Sequence, residues 1–109
     1  MQHMIKEAPA VAQGFFDLTK AIRSHSVLGE KLNELVLIGI FVCAPQGLRG
    51  LSTHVERALT TGATKDEILS AILLALPVIG VTSTNLALEK ALETIAAKTA
   101  TADVASVAR

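Results

Sequence analysis

The chain has 109 residues, half of them apolar and 18% charged, which describes one compact domain and excludes a disordered chain. Ten Lys+Arg balance ten Asp+Glu, so there is no electrostatic footprint for nucleic acid or an anionic membrane surface. Three Phe with no Tyr or Trp leave an aliphatic core and no platform for stacking single-stranded bases. The single cysteine, Cys43, cannot form an intramolecular disulfide, so a reducing, cytoplasmic compartment is expected.

Residues 1–7 carry no apolar run behind a basic flank and are read as a flexible N-terminus rather than a signal peptide. From there to residue 98, apolar spacing and punctuation mark out about five helical segments and no period-2 strand, so the class is all-α. The first segment follows Pro9, a residue suited to the opening helical turn, and sets Val11, Phe15, Leu18 and Ile22 on one face. The polar run Arg23-Ser24-His25-Ser26 ends it. The second segment runs from Gly29 or Glu30 to about Val42, with Leu32, Leu35, Ile38 and Val42 on one side and Val36, Ile40 and Cys43 on others. Pro45 and Gly47 close it.

The third segment, Leu48 to Thr61, has an inner stripe of Leu51, Val55, Ala58 and Leu59, with His54 inside or at the edge of that stripe. Gly62 supplies a left-handed helix stop, and Thr64-Lys65-Asp66-Glu67 spells a capping box that opens the fourth segment, Lys65 to about Leu76. Pro77 and Gly80 break the chain before a fifth segment that starts near Thr82 to Thr84 and ends near Lys98. Residues 99–109, Ala/Thr/Ser/Val-rich, read as a frayed tail. The longest apolar stretches, Leu35–Pro45 and Ile68–Val81, are shorter than the about 20 residues a bilayer span requires, so they are expected as core helices. Several segments are apolar all round, and part of that surface is expected to lie against another subunit.

Chemistry must come from few residues: Glu34, Cys43, Arg49, His54 and, less centrally, His25. If the second and third helices form an antiparallel pair across Ala44–Gly47, Glu34 and His54 approach each other, provided the helix ends stagger. A carboxylate beside an imidazole fixes the tautomer and raises the ring's basicity, as a general acid/base requires. A histidine satisfied by a core carboxylate is the plainer alternative. Cys43 has no second thiol and no evident cationic neighbour, which favours a packing role over a redox one. His3, His25, Cys43 and His54 are separated by 22, 18 and 11 residues, too far apart for any short metal-ligand spacing, so no metal site is expected.

The strings Glu34-Leu35-Val36-Leu37-Ile38-Gly39, Ala58-Leu59-x-x-Gly62-Ala63-Thr64-x-x-Glu67-Ile68 and Gly80-Val81-x-x-x-Asn85-x-Ala87, with His54 between the first two, resemble the carboxymuconolactone decarboxylase family. That family includes the alkylhydroperoxidase-D-like proteins, and the likeness extends over about Ala8 to Glu93. It implies a small all-helical subunit that assembles, commonly as a homotrimer or homohexamer, with pockets at or near subunit contacts. In the hydroperoxidase branch a Cys-x-x-Cys pair stands seven and four residues before the histidine; here those positions are Gly47 and Gly50. A thiol peroxidase mechanism, which needs a nucleophilic and a resolving thiol, is thereby disfavoured.

The decarboxylase branch is the nearer match, and it implies a cofactor-independent lyase of aromatic catabolism acting on a small organic acid. By that resemblance His54 donates or accepts the proton, Glu34 orients it and Arg49 holds a substrate carboxylate. The Glu34–His54 separation of 20 is about one residue longer than the family's, which points to an insertion in the Pro45 turn. A non-catalytic oligomeric binding subunit is the alternative, and a redox role through Cys43 a more remote one.

Overall fold

The computed structural model describes residues 1–108, with side chains described through residue 102. Among the described residues the chain is all-α, with seven helices and no strand: α1 (Gln2–Glu7), α2 (Pro9–His25), α3 (Glu30–Cys43), α4 (Leu48–Thr60), α5 (Lys65–Leu73), α6 (Leu76–Ile79) and α7 (Val81–Ala108).

The body of the subunit is built from α3, α4, α5 and α7. The antiparallel pair α3 and α4 forms its centre, α7 crosses α4, and α5 packs on α3. Ile38, Leu51, Val55, Ala58, Ile68 and Ile72 are fully buried together with Ala87 and Ala91. The inner stripe expected on α4 is present: Leu51, Val55 and Ala58 fill the core, and Leu59 packs against it half-buried. Small residues at 87 and 91 let α7 approach closely, because an alanine face brings two helix axes nearer than a leucine face does.

Local chemistry accounts for the boundaries. After Thr60 the chain turns through Gly62 at φ +97°, with Ala63 N–H donating to Ala58 O at 2.9 Å and Gly62 N–H to Leu59 O at 3.2 Å. This is a Schellman stop, and the left-handed glycine makes it possible. The capping box then opens α5: Glu67 N–H donates to Thr64 Oγ1 at 3.1 Å, and Thr64 N–H to Glu67 Oε1 at 2.9 Å. The α3–α4 connection is tighter. It turns through Ala44–Gly47, with Gln46 at φ +58°, the one non-glycine left-handed residue among those described.

Three features depart from the sequence reading. Residues 2–7, expected as a flexible N-terminus, are helical, and α7 continues past Lys98 to Ala108 where a frayed tail was expected. Alanine supplies the propensity for that continuation, and Thr101 Oγ1 returns its proton to Ala97 O at 2.9 Å instead of competing for the backbone N–H. The larger departure is α2. Its apolar face is regular, yet Val11, Phe15, Leu18 and Ile22 are 49–62% exposed, and the helix packs chiefly on α1. Periodicity identifies an apolar face but cannot say whether the same chain covers it. No helix among the described residues is long and apolar enough to cross a membrane.

Candidate functional site

Glu34 is the most deeply buried charged residue, at 1% exposure, on the inner side of α3 one turn before Ile38. A carboxylate so placed must be paired, since an isolated charge in an apolar interior is strongly disfavoured. It has two partners. Oε2 lies 2.7 Å from His54 Nδ1 on α4, and Oε1 lies 2.8 Å from Arg23 Nη2 at the last turn of α2. An ionised carboxylate can only accept, so His54 donates from Nδ1–H, and Nε2 is the ring nitrogen left free of Glu34. The Arg23 contact is an ion pair without hydrogen-bond alignment: neither Arg23 Nη2 nor Glu34 Oε1 has a hydrogen-bond partner.

The expected approach of Glu34 and His54 is therefore realised. Rise alone leaves their helix positions unequal distances from the turn, and the two helices are staggered across a connection that passes through the left-handed Gln46, with α4 starting at Leu48 directly after Gly47. His54 is 13% exposed and lies under a second neighbour, Phe41, whose ring is stacked on the imidazole at a centroid distance of 4.6 Å and an interplanar angle of 26°.

Phe41 also explains two glycines. A Cβ on Gly50 would stand 2.5 Å from Phe41 Cε1, and one on Gly47 would overlap the Phe41 carbonyl oxygen. Of the two positions at which the hydroperoxidase branch carries its thiols, Gly47 is thus blocked by backbone here and Gly50 admits a side chain only if the Phe41 ring gives way. Cys43 is exposed and unpaired, at the end of α3 where two surface grooves meet. No cluster of three or more His, Cys, Asp or Glu that could hold a metal occurs among the described residues.

Arg49 is not brought to the pair. It is exposed in the first turn of α4 and lines a groove of about 570 Å³ with Pro45, Gln46, Ile79 and Leu86. His25 ends α2 in solvent. The arginine that reaches Glu34 is Arg23, which the sequence reading took only as part of a helix-ending polar run. Its signal was its place one residue past Ile22, on a helix leading directly into the one that carries the buried acid. A shallow groove of about 270 Å³, lined by Arg23, Glu34, Arg57, Thr61 and Lys98 among others, opens on the Glu34 side of the pair.

A buried acid thus lies against a histidine held through Nδ1, with glycine at both positions where the hydroperoxidase branch would carry thiols. The model of the carboxymuconolactone decarboxylase family matches residues 9–94. The chain belongs to that family. The match runs from the first residue of α2 into α7, so the exposed α2 and the Glu34–His54 pair both lie within the family domain. No curated protein and no solved structure matches the chain.

Proposed function

We propose that this carboxymuconolactone decarboxylase family member is a cofactor-independent lyase or proton-transfer enzyme acting on a small carboxylated organic substrate, with His54 as the acid/base. The observation that carries this reading is the 2.7 Å contact between His54 Nδ1 and the buried Glu34 carboxylate, which leaves Nε2 as the ring's proton-exchanging atom. In decarboxylation the carbon–carboxylate bond breaks, CO₂ leaves, and the electron pair is held by a conjugated carbonyl. Imidazolium Nε2–H then returns a proton to carbon, and the ring recovers its proton from solvent. Glu34 keeps the ring in one tautomer and balances the imidazolium charge while the proton is in place.

The exposed face of α2 and the groove of about 510 Å³ between α3, α5 and α6, lined by Leu32, Val36, Leu74 and Val78, support a homo-oligomer, a trimer or hexamer as the family implies. Arg49, remote from Glu34 in the single subunit, is proposed as a substrate-carboxylate ligand only where the assembled pocket includes the Pro45 turn.

The test is consumption of 4-carboxymuconolactone by purified protein and by His54→Ala, with assembly of both checked by light scattering. Turnover in the parent that disappears in an assembled variant supports lyase chemistry and the role of His54 together; no turnover at high enzyme concentration refutes this substrate. A second reading, a non-catalytic oligomeric binding subunit, is favoured by the fact that His54 lines neither of the two larger grooves. A thiol-dependent redox role is separated from both by Cys43→Ser, which leaves lyase turnover unchanged.

A further inference from the structure

We infer that Arg23 is a positioning residue for the Glu34–His54 pair: its charge on Oε1 offsets the pull of the carboxylate on the ring and so sets how readily Nε2 takes up and gives up a proton. The inference rests on reading His54 as the acid/base. Glu34 is the point at which three helices meet through charge: Arg23 from α2, Glu34 from α3 and His54 from α4. Its two oxygens are divided between two cationic or potentially cationic partners. Arginine is permanently charged, so with a neutral ring the cluster of Arg23, Glu34 and His54 sums to zero. A proton on His54 makes the sum +1 inside a site with little access to water. Without Arg23 the order reverses: the cluster with a neutral ring carries −1, and the imidazolium neutralises it. Arg23 therefore offsets part of the stabilisation that Glu34 alone would give an imidazolium, which eases release of the Nε2 proton to carbon.

The geometry favours this role over a plain structural salt bridge. Arg23 Nη2 is buried and has no hydrogen-bond partner, so it acts on Oε1 through charge rather than through an aligned bond. The other charged groups lining the groove beside Glu34 are Glu30 on α3, Glu56 and Arg57 on α4, and Lys98 on α7, whose Nζ donates to Thr60 Oγ1 at 2.9 Å. They are two acids and two bases that offset one another, and no charged residue of α5 lines the groove. Among the described residues Arg23 is the only Lys or Arg in ion-pair contact with the Glu34 carboxylate. Its supporting helix is held to α3 beside the site by a further contact, the Ser26 hydroxyl donating to Asn33 Oδ1.

The test is a pH titration of the His54 ring nitrogens by ¹H–¹⁵N correlation NMR on the full chain, in parent, Arg23→Gln and Arg23→Lys proteins. In Arg23→Gln the midpoint of ring protonation moves upward by about one pH unit, roughly tenfold in proton affinity, as expected for the loss of a cation next to the shared carboxylate. Arg23→Lys, which keeps the charge, follows the parent. An unchanged or lowered midpoint in folded Arg23→Gln overturns the inference. If that variant does not fold, the parent decides: the Arg23 guanidinium resonances must shift with the same midpoint as His54, and flat resonances overturn it. Absence of decarboxylase turnover counts against the catalytic reading alone, because the titration coupling is read without substrate.

Discussion

Gly50→Ala tests the packing above His54 most directly. The added Cβ would meet Phe41 Cε1 at 2.5 Å, Cδ1 at 3.0 Å and Cζ at 3.1 Å. Ordinary carbon contacts lie at about 3.5–4.0 Å, so the ring must retreat by about 1 Å, and the same ring stacks on His54 at 4.6 Å, a contact that the shift disturbs. Overpacking of this kind costs about 1–3 kcal/mol. Replacing a helical glycine by alanine returns about 0.5–1 kcal/mol, so a net loss of about 1–2 kcal/mol is expected. With Phe41→Ala already in place the clash disappears and only the propensity gain remains, so the same substitution should stabilise. The coupling is thus about 1–3 kcal/mol, with a change of sign. Urea unfolding of the four proteins of this cycle, followed by far-UV circular dichroism at one fixed concentration, measures it. A neutral or stabilising Gly50→Ala with Phe41 present, or an equal loss with and without the ring, would refute the assignment of Gly50 to ring clearance.

Thr64→Ala removes the hydroxyl that accepts from Glu67 N–H and should lower stability by about 1 kcal/mol in the same assay; no change in the urea midpoint would mean that the box does not support α5. The Glu67 carboxyl is held below the usual carboxylate range by the Thr64 backbone N–H and then by Lys31 Nζ at 3.0 Å. Because its folded value is lowered, its contribution is complete above the unfolded carboxylate value near about 4.3 and is lost as pH falls through the folded one. Lys31→Met should therefore flatten the loss of stability on the acid side of pH 5 while changing its form little near neutrality, and parallel pH–stability curves would contradict this. Phe15→Asp or Leu18→Asp places a charge on the exposed face of α2 and should reduce the mass measured by light scattering; an unchanged assembly would free that face from any subunit contact.

The helices of the body were legible because their boundaries are written in short-range chemistry. Gly62, the Thr64–Glu67 box and the Leu51/Val55/Ala58 stripe each act within a turn or two of themselves, and each is present as read. The Glu34–His54 pair was legible as an approach but not as a contact, since closing it depends on how α3 and α4 stagger across a turn whose left-handed residue is a glutamine, which does not announce that conformation. Arg23 and Phe41 were not legible as site residues. Each acquires its role from a neighbour on another helix, Glu34 in one case and His54 with Gly50 in the other, and no spacing rule within a single helix encodes that. For α2 the apolar period was right, but burial was inferred from a periodicity that reports only amphipathicity.

The ring of Phe41 also constrains the order in which this chain could change its chemistry. A cysteine introduced at Gly50 meets the ring, and one at Gly47 meets the Phe41 carbonyl, which moves only if the Ala44–Gly47 turn is rebuilt. A thiol at Gly50 is therefore harmful while the Phe41 ring keeps its place and one at Gly47 while the present turn remains, so the pair is acceptable only after both are altered: a case of sign epistasis, in which the value of a substitution depends on its predecessors. Placing a Cys-x-x-Cys pair on this scaffold calls first for loss of the ring, then for a remodelled turn, and only then for sulfur. That sequence of steps separates two neighbouring motifs by a barrier far larger than the two residues that distinguish them.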